Sequence, residues 1–181
     1  MLAGTTVVSV EANAVVTDKG ERVPFDYLCL TTGSTYHSFI KAPNGVADAQ
    51  AKMAELRGVI SKAGAKVVVV GAGLSGLEYA GEIKTAYPET KVTIVDAHKD
   101  VLGGYSDYTD GGRKDIKTKL TKIGVEFVFG ERIVIPSAEE DPTFFTEVKP
   151  RVLALQSGTK TLESDAIIFS VRCFQYACSV G

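Results

Sequence analysis

The feature that most constrains this chain is the run Lys66-Val67-Val68-Val69-Val70 leading directly into Gly71-Ala72-Gly73-Leu74-Ser75-Gly76. Four consecutive valines are stiff at χ1 and apolar on both sides, which predicts a strand covered on both faces, as in a parallel sheet. The glycines mark a tight turn. Beyond it Leu77, Ala80, Ile83 and Tyr87 recur at helical spacing until Pro88, where a helix must end. Val92 to Val95 is a second buried-strand run. Strand, turn, helix and strand in that order make a βαβ unit, whose right-handed crossover sets the strands parallel.

Gly71, Gly73 and Gly76 form G-x-G-x-x-G, a weak signal alone in a chain with 18 glycines. Between a valine strand and an amphipathic helix it becomes specific for a dinucleotide. Gly71 permits the turn, Gly73 lets backbone approach a pyrophosphate, and Gly76 lets the helix pack close to the strand. Unpaired N–H groups and a partial positive charge at the helix start suit phosphate, so Ala72, Leu74 and Ser75 join the candidate site. Asp96 lies 25 residues after Gly71, at the end of the next strand. A carboxylate there can hydrogen-bond ribose hydroxyls, which favours NAD over NADP. His98 and Lys99 could partly neutralise a 2′-phosphate, and the bland alternative is that Asp96 caps its loop. The ligand expected is NAD(P)H, with NAD favoured.

The remaining chain fits an α/β fold: a Rossmann-type parallel sheet with an antiparallel meander, preceded by a partial β segment. Val7 to Val10, Ala14 to Thr17 and Arg22 to Leu30 read as extended runs around the turn Asp18-Lys19-Gly20. Pro43-Asn44-Gly45 marks a linker. Ala49, Met53, Leu56 and Ile60 predict one buried helix face from Ala47 on. Ile116, Leu120 and Ile123 predict another helix, entered past Asp107 and Asp110 as caps. Val125 to Phe129 is a third parallel strand, 131–163 an antiparallel meander, and Ala166 to Val171 a closing strand.

A net charge of −2 gives no electrostatic footprint for nucleic acid. The basic stretch Arg113 to Lys122 reads as a solvated helix face. No apolar run approaches the roughly 18 residues of a membrane span, and the opening residues lack the basic start of a signal peptide. Three cysteines are too few for a disulfide framework, which points to a reducing compartment. The cytoplasm is expected, with mitochondrial or membrane-peripheral placement left open.

Cys173 and Cys178 have a spacing seen in redox disulfides but follow a strand, away from any helix start; buried or incidental thiols are the default. Cys29 reads as core. His37 and His98, the only histidines, have no neighbours at metal-ligand spacing, so no metal is expected. No triad or obvious acid–base residue appears and the catalytic residues stay unassigned, which fits hydride transfer between cofactors.

The runs KVVVVGAGLSGLEYAGEI and KVTIVDAHKDVL resemble the NAD(P)H-binding domain of FAD-dependent pyridine nucleotide oxidoreductases. Within these the chain is most similar to the apoptosis-inducing factor-like and ferroptosis-suppressor-like NAD(P)H:quinone oxidoreductases. Lys122-Ile123-Gly124-Val125-Glu126 and Ser164-Asp165-Ala166-Ile167-Ile168-Phe169 are further matches. So is Phe25-Asp26-Tyr27-Leu28-Cys29-Leu30-Thr31-Thr32-Gly33-Ser34, with Thr31 where the family has Ala. The resemblance implies FAD as a second cofactor with Thr32 and Gly33 close to it, and Glu78 near the nicotinamide; a solvent-facing helix glutamate is the equal alternative. It also implies a quinone-like acceptor. Family members carry a first, FAD-binding G-x-G-x-x-G roughly a hundred residues earlier, which this sequence lacks. Residues 1–46 are therefore expected to be a remnant of an FAD domain with its linker, and 47–181 the NAD(P)H-binding Rossmann domain, truncated at both ends. The expected function is hydride transfer from NAD(P)H to flavin. A dinucleotide-binding module without turnover is the alternative, and an S-adenosylmethionine-dependent methyltransferase is disfavoured by the complete dinucleotide spacing. Unpaired strand edges near the start would favour self-association.

Overall fold

The computed structural model describes residues 1–32 and 45–171. Gly33, His37, Cys173 and Cys178 lie outside the described residues. Those described form two compact units, one up to residue 32 and the other from 45 onward.

The first unit is a three-stranded antiparallel sheet in the order β1 (Val7–Val10), β2 (Ala14–Thr17), β3 (Arg22–Pro24). Gly20 takes a left-handed φ of 77° in the β2–β3 turn, a conformation glycine adopts without strain. β3 is much shorter than the extended run over Arg22 to Leu30 suggests. Pro24 has no N–H to continue a ladder, and Tyr27, Leu28 and Leu30 beyond it are exposed. Cys29 is exposed as well, not core.

The second unit holds α1 (Val46–Ile60), β4 (Lys66–Val70), α2 (Leu74–Ala86), β5 (Lys91–Asp96), α3 (Asp110–Lys122), β6 (Val125–Phe129), β7 (Arg151–Ala154), β8 (Thr161–Ser164) and β9 (Ala166–Phe169). β6-β5-β4-β9 form a four-stranded sheet in that order, and every pair is parallel. The strand alternation splits the valine run between two cores. Val67 and Val69, with Val92, Ile94, Ala166 and Ile168, face Leu77, Ala80 and Ile83 of α2. Val68, Val95, Ile167 and Phe169 pack with Ile133, Phe144, Leu153 and Leu155. Removing each such valine from water contributes about 1.5–3 kcal/mol.

Three expectations change. α1 has no fully buried residue; Ala49, Leu56, Val59 and Ile60 are half-buried, whereas Met53 is exposed. The meander is a single hairpin, β7 with β8, plus an isolated bridge between Ile133 and Leu155. The prolines and the acidic turn at 139–142 leave the preceding stretch outside regular strands. At α3 the cap is Thr109, whose hydroxyl accepts from Gly112 N at 3.2 Å; Asp110 is already inside the first turn and Asp107 accepts from Ser106.

Candidate functional site at the glycine turn

The carboxyl ends of β4 and β5 bring together most of the residues singled out above. Gly71 has φ 110°, and a Cβ there would meet Ser170 O at 2.8 Å and Val171 at 3.0 Å. It therefore serves the close passage of the chain leaving β9 as well as the turn. At Gly76 a Cβ would lie 2.0 Å from Gly71 O, so only glycine allows α2 to sit this close to the strand exit. Gly73 is different. Its φ of −76° suits any residue, and an added Cβ would meet only Tyr105, at 3.7 Å. Nothing in the protein requires glycine at 73.

Gly73 is also the N-cap of α2 and supplies no side-chain cap. The first amides of a helix have no intrahelical acceptor, so those of Leu74, Ser75 and Gly76 need one from elsewhere. Leu74 and Ser75 are exposed. This cradle, open where a Cβ would fill it and lined by N–H donors, fits an anionic pyrophosphate.

Asp96 is tied into the turn. Its Oδ2 accepts from Ala72 N at 2.6 Å, and its Oδ1 accepts from His98 N at 2.7 Å and faces His98 Nδ1 at 2.8 Å. The carboxylate thus caps its own loop and joins it to the glycine turn. A carboxylate has about four lone-pair sites, so acceptor capacity remains for a ribose hydroxyl. Glu78 is exposed one turn into α2, and Thr32 is exposed in the first unit.

A residue read as part of a solvated face has another role. The guanidinium of Arg113, in the first turns of α3, donates to Val101 O at 2.7 Å and to the carbonyls of Leu102 and Tyr105. It holds the loop after β5, where buried Leu102 takes a left-handed φ of 54°. Leu102 N donates to Ala72 O at 2.9 Å, joining this loop to the glycine turn. The sequence signal is the Gly103-Gly104 pair in the loop that Arg113 holds. Lys84, nearly buried near the end of α2, likewise donates to Pro88 O and Thr90 O, at 2.5 and 3.0 Å. Among the described residues no cluster of three or more His, Cys, Asp or Glu is placed to hold a metal, and no helix is long and apolar enough to cross a membrane.

A family model described as pyridine nucleotide-disulphide oxidoreductase matches residues 1–171. The chain belongs to this family. Members work with FAD and NAD(P)H. Among curated relatives, human ferroptosis suppressor protein 1 is 35% identical over 121 residues, covering 66% of this chain and 32% of its own length. The Xenopus tropicalis protein of that name is 31% identical over 180 residues, 96% of this chain and 46% of its own. Apoptosis-inducing factor homolog A of Dictyostelium discoideum is 25% identical over 179 residues, 92% and 43%. The chain thus spans less than half the length of these relatives. A ferredoxin reductase from Rhodopseudomonas palustris superposes with a TM-score of 0.66 at 20% identity, over 93% of this chain and 40% of that one. A NAD-dependent persulfide reductase from A. fulgidus gives 0.64 at 20%, over 94% and 31%. These likenesses are of fold.

Proposed function

We propose that this chain is the nicotinamide-binding part of an FAD-dependent oxidoreductase that passes a hydride from NAD(P)H to flavin and electrons on to a quinone-like acceptor. The observation that carries this reading is Gly73: a glycine with ordinary φ and no protein contact demanding it, at the start of a helix whose first amides lack acceptors. The pyrophosphate lies over Gly71-Ala72-Gly73-Leu74-Ser75-Gly76 and takes the amides of the last three. Asp96 accepts from the adenosine ribose through its remaining lone pairs, favouring NAD because a 2′-phosphate would meet a like charge. By the family resemblance, Glu78 is assigned to the nicotinamide end, and Thr32 and Gly33 to the FAD. The bound cofactors supply the redox chemistry; the chain binds, orients and excludes water.

The division into an FAD-domain segment over 1–46 and a nicotinamide domain over 47–181 belongs to the same reading, as does self-association through the edges of the β1–β3 sheet. The quinone-like acceptor rests on the resemblance to NAD(P)H:quinone oxidoreductases. A second reading, a nicotinamide-binding module without turnover, needs only the open glycine turn at the start of α2. Incubation with FAD, desalting and addition of NADH separates the two. A retained flavin band that bleaches supports the oxidoreductase. NADH binding with no retained flavin supports the module, and no NADH binding at all removes both.

A further inference from the structure

The loop after β5 is over-determined for a surface connection. Arg113 fixes three of its carbonyls, Leu102 N is bonded to Ala72 O, and Tyr105 N donates to Leu102 O at 3.0 Å. A Cβ at Gly103 would fall 2.3 Å from His98 Cβ, so this glycine lets the loop fold back onto the histidine that pairs with Asp96. Leu102 sits in a left-handed conformation costly for a branched side chain, and such strain persists only where the surroundings enforce it.

All these restraints converge on the position of Tyr105. Its ring stands edge-on to Tyr108, with centroids 6.1 Å apart. Its hydroxyl lies 3.7 Å, and its Cε2 3.8 Å, from the place a Cβ would take on Gly73. That hydroxyl has no hydrogen-bond partner among the described residues, and the side chain is partly exposed. The 3.7 Å gap is longer than a hydrogen bond, so the hydroxyl reaches a phosphate oxygen that projects from Gly73 about 1 Å toward the ring. A phenol in this place donates to phosphate without adding charge.

We infer that the Tyr105 hydroxyl donates a hydrogen bond to a phosphate of the dinucleotide at the glycine turn. Arg113 is the positioning residue that holds Tyr105 there. The inference rests on the proposed nicotinamide site and adds a ligand contact from outside the G-x-G-x-x-G segment.

The test uses the full chain and reads NADH affinity by calorimetry, together with displacement of NADH by inorganic pyrophosphate. Tyr105→Phe keeps the ring and its packing on Tyr108 and removes only the donor. It is expected to weaken NADH and pyrophosphate by the same factor, about tenfold for a hydrogen bond to a charged group. Arg113→Lys is expected to weaken both as well, and the double variant no further than the weaker single one, because Arg113 acts through Tyr105. Unchanged NADH affinity in Tyr105→Phe overturns the inference and leaves the nicotinamide site standing. So does weaker NADH binding with unchanged pyrophosphate displacement, which would place Tyr105 on another part of the ligand. An additive loss in the double variant overturns the positioning role of Arg113. No NADH binding by the unaltered chain overturns the site and this inference together.

Discussion

At the carboxyl ends of β4 and β5, polar side chains hold backbone in place and leave the first amides of α2 without an acceptor. Between residues 139 and 165 the polar groups are instead turned on one another. Arg151, almost fully buried, donates to Asp141 at 2.9 Å and to the carbonyls of Thr143, Glu147 and Lys149, and stacks over Phe144. Lys149 reaches Asp141 and Glu147, and Lys66 pairs with Glu163. Asp165 takes Lys66 N at 2.8 Å, closing the start of β4. Both regions carry charge, but the first leaves the opening amides of a helix without acceptors while the second is tied together by its own ion pairs. Buried polar groups satisfied within the protein build structure, and donors left open at a helix start await a ligand.

Substitutions should separate the two regions. The largest stability effect is expected at Gly76, where an alanine Cβ would collide with Gly71 O at 2.0 Å. Displacing that turn costs roughly 3 kcal/mol and lowers Tm by about 6–12 °C, read by differential scanning calorimetry. An unchanged Tm would mean the turn can open without cost.

Next comes Asp141. The Arg151 guanidinium holds its carboxyl well below the usual carboxylate range. A depressed folded-state pKa stabilises above the unfolded value, near 3.8, and that contribution drains away as pH falls toward the folded value. Asp141→Asn is therefore expected to be less stable than the unaltered chain at pH 7, with the gap narrowing below about pH 4. A gap of constant size across an acid titration followed by circular dichroism would contradict the pairing.

The smallest effect belongs to Lys66 and Glu163. Their contact holds the lysine pKa up and the glutamate pKa down, but both side chains are well exposed. Exposed pairs contribute little, so Glu163→Gln should leave the Tm within error of the unaltered chain.

The sheet and α2 were legible because one period decides them. Alternation sorts Val67 and Val69 from Val68, and three- and four-residue spacing places Leu77, Ala80 and Ile83. The residue before Pro88 also ends α2 where sequence puts it. What escaped depends on partners far apart in the chain. Arg113 and Val101 are twelve residues apart, and Arg151 and Asp141 ten, with no periodicity linking them. Met53 shows a further limit: Ala49, Leu56 and Ile60 of the expected face are partly buried, but Met53 is exposed and Val59 packs with them. Cys29 sits in a β-prone run whose ladder stops at Pro24, a fact local composition alone does not reveal. At the candidate site the glycine positions and their separate roles were legible from motif chemistry, whereas the 2.0 Å collision at Gly76 and the open space at Gly73 emerge only from the fold.

That contrast supplies the most direct measurement: NADH affinity and Tm of Gly73→Ala beside the unaltered chain. Alanine at this N-cap costs no more than about 1 kcal/mol of stability, because its Cβ meets nothing closer than Tyr105 at 3.7 Å. The account predicts a nearly unchanged Tm with NADH binding weakened by at least about tenfold, as a methyl group displaces the pyrophosphate from the backbone. Undiminished NADH binding by a folded Gly73→Ala protein would contradict the assignment of this turn as the dinucleotide site.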